Sequence, residues 1–290
     1  MTTPEAISIW VAITCYMAGT ILIFAGMVFK RSKWVDLAAS FALFGLAAQA
    51  VAIGARWMSS GHFPYIEDYE NVLVGTFAMV LAYLILTRLR KGLALAGALV
   101  LPVVLLTLGY GLTQAAPPSP VTPPYQSGWL VVHVTFAWIT YALYSAVAGL
   151  AIVYLIRDRA ARQGREATGI PAWVPSSDEI DDLSLKLVAL GFLNNAVMIA
   201  SGAIWAYRLW GSYWSWDPVE TWSLLTWLAY GLYMHARLTL GWRGRRLAYL
   251  ALFALFGVLM TFWGVQLAPS SYHLFRQMGT GTGMGQSRPQ

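Results

Sequence analysis

The chain has 290 residues, 58% hydrophobic and 11% charged, whereas roughly a quarter of residues are charged in soluble domains. With a mean hydropathy of +0.58, this excludes an ordinary soluble enzyme and marks a polytopic membrane protein. The formal net charge of +6 comes from 19 Lys and Arg that gather at the ends of apolar runs, so no nucleic-acid-binding patch is read from them.

Crossing a bilayer core takes about twenty apolar helical residues. Such runs fall at 7–28, 36–56, 70–87, 93–111, 129–156, 183–207, 221–240 and 247–266, which predicts an all-α fold of about eight transmembrane helices. Residues 1–276 read as one transmembrane domain and the Gly-rich stretch 277–290 as a flexible tail. Met1 to Glu5 carries no Lys or Arg and ends in an acid, unlike the basic start of a cleaved signal peptide, so the first helix is expected to stay. Cys15 sits in that run as the single cysteine, which leaves no disulfide framework, no Cys-x-x-Cys and no thiolate metal cluster.

Orientation follows from the loops. Lys30, Arg31, Lys33, Arg88, Arg90, Lys91, Arg157, Arg159, Arg162, Arg165, Lys186, Arg237, Arg243, Arg245 and Arg246 fall on one side, and Arg56, Arg208, Arg276 and Arg288 on the other. The cation-rich side is cytoplasmic by the positive-inside rule, so both termini are expected to face outward. Two outward loops, Gly61 to Asn71 (G-H-F-P-Y-I-E-D-Y-E-N) and the uncharged, five-proline stretch Ala115 to Gly128, are expected to lie over a cavity. The inward stretch from Arg157 to Asp182 reads as a solvated connector.

Chemistry concentrates at residues 208–224, R-L-W-G-S-Y-W-S-W-D-P-V-E-T-W-S-L. Asp217 at an N-cap, Pro218 at the first helical position and Glu220 at N3 make a helix start, and tryptophan collects at membrane interfaces. Those roles leave the density of Trp210, Trp214 and Trp216 unexplained, and Gly211 would let something approach the backbone closely.

Four histidines, 62, 133, 235 and 273, each stand alone on a separate segment. His133 begins a run too long for the bilayer and should sit at its outer surface. His273 follows the eighth helix on the same side. His235 lies 14 residues into the seventh run, about 21 Å down it. It is either an intramembrane functional group or a residue snorkelling beside Arg237. His62, in an outer loop, reads as solvated. Two outer imidazoles can supply both axial ligands of a haem, and indole faces suit a flat macrocycle. A tetrahedral zinc site is hard to assemble without cysteine.

The stretch from Trp210 to Trp227, followed by Y-x-x-Y-M-H-A-R up to Arg237, resembles the tryptophan-rich "WWD" signature of haem-handling proteins, in the form carried by cytochrome c biogenesis proteins of the CcsA (ResC) type. Phe63 to Asn71 resembles the family's P-x-x-x-x-Y-E element, and F-W-G-V-Q its closing pattern before the last histidine. The resemblance covers most of residues 60–275. The family's usual G-L-H-S-Y stands here as S-S-Y-H-L-F, with the histidine after the tyrosine. The much longer CcmF type does not fit 290 residues, and the CcmC type usually lacks the Pro-x-Glu after the aspartate.

The resemblance implies that His133 and His273 are the external haem-iron ligands and His235 an intramembrane one. It also implies that Trp210, Gly211, Trp214, Trp216, Asp217, Pro218, Glu220 and Trp222 form the haem-binding signature, with His133, His273 and Asp217 carrying the reaction. That reaction would be export of haem b and its attachment to the thiols of a Cys-x-x-Cys-His apocytochrome c, in the bacterial cytoplasmic membrane or a thylakoid. The implied partners are a CcsB (ResB) type membrane protein and a thioredoxin-like thiol reductant. Of the outer cations, Arg56, Arg208 and Arg276 could pair with haem propionates or anchor helix ends. Three alternatives remain open: a haem carrier without attachment chemistry, a haem b electron-transfer protein and a small-solute transporter.

Overall fold

A computed structural model describes residues 1–117, 126–164 and 173–264. Among the described residues there are eight α-helices: α1 (Thr3–Val28), α2 (Ser32–Ser60), α3 (Asp68–Leu89), α4 (Gly97–Thr113), α5 (Gly128–Arg162), α6 (Ser177–Trp210), α7 (Pro218–Leu238) and α8 (Arg245–Phe262). A 3-10 turn over Lys91–Ala96 precedes α4. All eight expected helices are present, and the protein is a polytopic membrane protein. Seven helical spans are long and apolar enough to cross a bilayer; α7 is the one that falls short, because Glu220, three hydroxyl side chains and its Trp and Tyr residues lower its hydropathy.

The apolar runs locate the helices but understate two of them. α5 continues to Arg162 and α6 begins at Ser177, inside the stretch expected to be a connector. The reason is local: the Ser176 side chain accepts the Glu179 amide, and Asp178 and Glu179 fill the first turn of α6, where acids complement the dipole. Hydropathy reports only the part of a helix that lies in hydrocarbon.

Packing centres on α5, which touches α3, α4, α6 and α8. Residues Ala142 to Ala151 are buried without a break, as expected of a helix surrounded on all sides. Five of those ten are Ala or Gly, and small residues let helices approach where lipid supplies no hydrophobic drive. Outward, the helices present Phe44, Leu89, Leu106 and Phe253, side chains suited to hydrocarbon. Polar ties lie inside. Tyr16 Oη donates to Gln49 Oε1 at 2.6 Å, and Gln49 Nε2 donates to the Leu73 carbonyl and Thr76 Oγ1, both at 2.8 Å, which joins α1, α2 and α3.

At one end of the bundle α7 is pinned. Arg237, buried in its last turn, pairs with Asp182 at 3.0 Å and Asp181 at 3.7 Å, while Asp181 also accepts the Gly244 amide at 3.1 Å. This cation, expected as a topogenic loop charge, instead joins α6 to α7 and the turn before α8.

Candidate functional site

The other end of the bundle opens into a cleft. Its main lobe encloses about 910 Å³ of space and gathers the start of α3 (Asp68, Asn71), the end of α4 (Tyr110), the start of α5 (His133, Trp138), Trp205 of α6, Val219 of α7 and the end of α8 (Thr261, Phe262). Successive helices therefore alternate in direction, and the cleft lies where six of them end together. A second lobe of about 460 Å³ continues from it past His133 and Tyr141 to Gly202, Trp214 and Glu220.

The loop between α2 and α3 forms one wall, with Tyr65 and Ile66 lining the cleft. Partial burial pushes the Tyr65 phenol above its ordinary pKa, so it presents a neutral hydroxyl. A buried arginine holds the loop down. Arg56, 0% exposed, donates Nε to Glu70 at 2.8 Å, Nη2 to Glu67 at 2.8 Å and Nη1 to the Ala116 carbonyl at 2.9 Å. Its donors serve both loops expected to cover a cavity, so Arg56 anchors helix ends and is not a propionate ligand. Residues 118–125 of the second loop lie outside the described residues.

His133 stands between the two lobes. Its Nδ1 lies 2.8 Å from the Met198 carbonyl of α6. A carbonyl can only accept, so Nδ1 carries the proton and Nε2 carries the lone pair, the arrangement found in metal-ligating histidines. Five residues further along α5, Trp138 donates Nε1 to Asn71 Oδ1 at 2.8 Å. Its ring lies against Gly75, where any Cβ would collide with it. Trp138, Tyr141 and Phe262 form a mutually edge-on group with centroids 5.3 to 6.4 Å apart.

The tryptophan stretch is a tight connection between two helices. Gly211, at φ 78°, ends α6 in the left-handed conformation, and no atom would meet a Cβ there. Its glycine serves helix termination. Trp216 also takes a left-handed φ of 59°, a conformation costing about 1–2 kcal/mol in a residue with a Cβ. It holds its indole 70% exposed, edge-on to Trp214 at 5.7 Å.

Asp217 then caps α7, accepting the Val219 amide at 2.9 Å from a side chain almost wholly buried. Glu220 completes a capping box and accepts the Ser215 amide at 2.8 Å. Pro218 occupies the first turn. Loss of such a cap costs about 1 kcal/mol, about a fivefold effect. The Asp217→Ala protein is expected to unfold at a lower midpoint and to loosen the cleft wall, because the cap holds Val219 and Glu220 there; thermal unfolding and protease sensitivity of the stretch before α7 check this.

The cleft thus brings together His133, Trp214 and Glu220 of the residues singled out from sequence. Trp210 packs edge-on to Trp205 at 5.7 Å, which itself lines the cleft. Trp222 turns toward α8 against Phe256 at 5.8 Å and does not line it. His235 lies in the last turn of α7, about 26 Å from its first residue, on the exposed surface of the bundle. His62 bonds through Nδ1 to the neighbouring Phe63 carbonyl at 3.0 Å and does not line the cleft. Arg208 is exposed and stands over the Trp129 ring at 6.0 Å. His273 and Arg276 lie outside the described residues.

Sequence reasoning missed Trp138, Tyr141, Asn71, Gly202 and Phe262. Two carried a signal, Asn71 as the close of the Y-E-N stretch and Phe262 as the start of F-W-G-V-Q. Among the described residues no three His, Cys, Asp or Glu gather to hold a bare metal ion. One imidazole of fixed tautomer beside a wide aromatic cleft instead fits a planar macrocycle that brings most of its iron's donors with it.

Residues 65–273 match the cytochrome c assembly protein family. The chain is 30% identical over 270 residues to a cytochrome c biogenesis protein CcsA of Guillardia theta, covering 86% of this chain and 89% of that protein. It is 33% identical over 270 residues to the CcsA of Synechococcus sp. (strain CC9605), covering 85% and 88%. Among solved structures, a cytochrome c haem lyase CcmF superposes with a TM-score of 0.69 at 17% identity over 90% of this chain. The match spans 47% of that longer chain, and the likeness is one of fold.

Proposed function

The chain belongs to the cytochrome c assembly protein family, of the CcsA type, and on that premise we propose that it holds haem b in the cleft around His133 and presents it for covalent attachment to an apocytochrome c. The observation that carries this reading is the imidazole itself: the 2.8 Å bond from Nδ1 to the Met198 carbonyl puts the lone pair of the neutral ring on Nε2, the nitrogen that would ligate iron, in a cleft lined by aromatic rings. Haem supplies the vinyl groups to which the two thiols of a Cys-x-x-Cys-His segment add. The chain's own residues contribute positioning.

In this reading His133 and His273 would hold the iron, and the rings of Trp214, Trp138 and Tyr141 would give flat apolar contact. Asp217, Pro218 and Glu220 fix the start of α7 beside them. Trp210, Gly211 and Trp222 support the stretch from behind, and Trp216 extends the platform toward the substrate. Arg208 is an exposed cation at the same end, able to pair with a propionate. The cleft end and both termini face outward across the bacterial cytoplasmic membrane, or into the lumen of a thylakoid.

His235 is too far from His133 for one haem to touch both. It therefore serves a second, inner site, where haem is captured before reaching the cleft. Because His235 lies on the exposed surface of the bundle, its opposite ligand comes from outside this chain, from a CcsB (ResB) type membrane partner. A thioredoxin-like reductant keeps the substrate thiols reduced.

The absorption spectrum of the full chain purified with that partner tests the reading. It should show b-type haem, unaffected by Cys15→Ala, and His235→Gly should lower the haem reaching the cleft, with little rescue by added imidazole. A colourless preparation from haem-replete cells would overturn it.

A further inference from the structure

The Met198 carbonyl is a crowded acceptor. It receives Nδ1 of His133 at 2.8 Å in addition to its place in the α6 ladder, where the amide four residues on belongs to Gly202, while the Ser201 hydroxyl gives its proton to the Val197 carbonyl at 2.6 Å. The imidazole reaches this oxygen because position 202 has no side chain. A Cβ there would stand 2.6 Å from His133 Nδ1 and 2.8 Å from Cε1. Nothing in the backbone asks for glycine: α6 runs unbroken from Ser177 to Trp210, and Gly202 is not among the positive-φ residues. Glycine within a helix costs about 1 kcal/mol relative to alanine. Helix propensity thus argues against glycine at this position, and the close approach of the ring argues for it.

We propose that Gly202 and the Met198 carbonyl are the positioning device of the His133 iron ligand, setting its tautomer, its ring plane and its strength as a donor. The inference rests on the reading of His133 as a haem ligand. The opposite tautomer would aim a nitrogen lone pair at the carbonyl oxygen and place the proton on Nε2, where iron must bind. A proton shared with an accepting carbonyl also raises the basicity of the other ring nitrogen. A stronger donor favours ferric iron and lowers the reduction potential.

The test uses Gly202→Ala in the full chain. Alanine is the better helix former, so α6 is retained and only the ring is displaced. In the haem-free protein, ¹⁵N spectra of His133 recorded well above the ordinary imidazole pKa of about 6.5 should lose the single Nδ1–H tautomer in favour of a mixture. In the haem-loaded protein, affinity should fall about 10- to 100-fold, the range for loss of an outer-sphere partner, and the midpoint potential should become more positive. In the His133→Gly background, free imidazole is not tethered to α5, so Gly202→Ala should weaken its rescue far less than it weakens the native ligand.

If His133→Gly removes the cleft's share of the haem spectrum while Gly202→Ala leaves tautomer, affinity and potential unchanged, the positioning role is overturned and the ligand role stands. If His133→Gly keeps the full haem spectrum, the ligand reading falls and the inference falls with it.

Discussion

Replacing His133 with glycine is expected to remove the cleft's share of the b-type spectrum of the purified protein, leaving that of haem at the inner His235 site, and to abolish cytochrome c maturation. Losing an outer-sphere partner costs about 10- to 100-fold in metal affinity, and losing an iron ligand costs more. The residue lines both lobes of an open cleft, so imidazole from solution can enter the space left behind and partly restore both signals. His273→Gly is expected to respond in the same way, as the other proposed ligand of that iron. His62→Gly is the control: its imidazole bonds to the Phe63 carbonyl, outside the cleft, and both spectrum and maturation should be unchanged. The proposal fails if His133→Gly matures cytochrome c at the normal rate without imidazole.

Arg56→Ala should have the largest effect on stability. The guanidinium is 0% exposed and faces Glu70, also 0% exposed, and Glu67 at 19%. Taking away one partner of a buried pair leaves uncompensated charge and costs about 3–5 kcal/mol. Two carboxylates and the Ala116 carbonyl lose their donors together, so the loop bearing Tyr65 and Ile66 should detach from the bundle. The unfolding midpoint should drop, the loop should become sensitive to protease, and haem retention should fall although Arg56 does not line the cleft. Arg56→Met combined with Glu67→Gln and Glu70→Gln removes the charges together. It should recover most of the stability, because replacing a buried ion cluster with neutral groups is often close to neutral. If Arg56→Ala unfolds at the wild-type midpoint, the cluster does not anchor the loop.

Several elements were legible before any coordinates, for identifiable reasons. Eight apolar runs became eight helices because a segment in hydrocarbon must satisfy its backbone within itself. The start of α7 was legible from Asp217, Pro218 and Glu220 because a cap is made by residues three apart in sequence. The long run after residue 128 placed His133 at a helix end, and there it lines the cleft. Gly211 was read as a point of close approach, and it terminates a helix; a left-handed cap and a ligand contact leave the same letter in the sequence. Arg237 was counted as a loop cation for a similar reason, since its partners Asp181 and Asp182 lie 55 and more residues away.

By itself the sequence determined the membrane class, the number and order of the helices, the N-cap of α7 and the tryptophan stretch that resembles haem-handling proteins. All of these depend on composition or on contacts within a few residues along the chain. Only the tertiary structure decided that His133 bonds to Met198, 65 residues away, that Trp138 and Asn71 line the same cleft, and that Trp222 and His235 face elsewhere. Each of those facts depends on how helices turn about their axes when small residues such as Gly75 and Gly202 let neighbouring rings close in. That rotation is set by packing between helices, to which hydropathy and local spacing are blind.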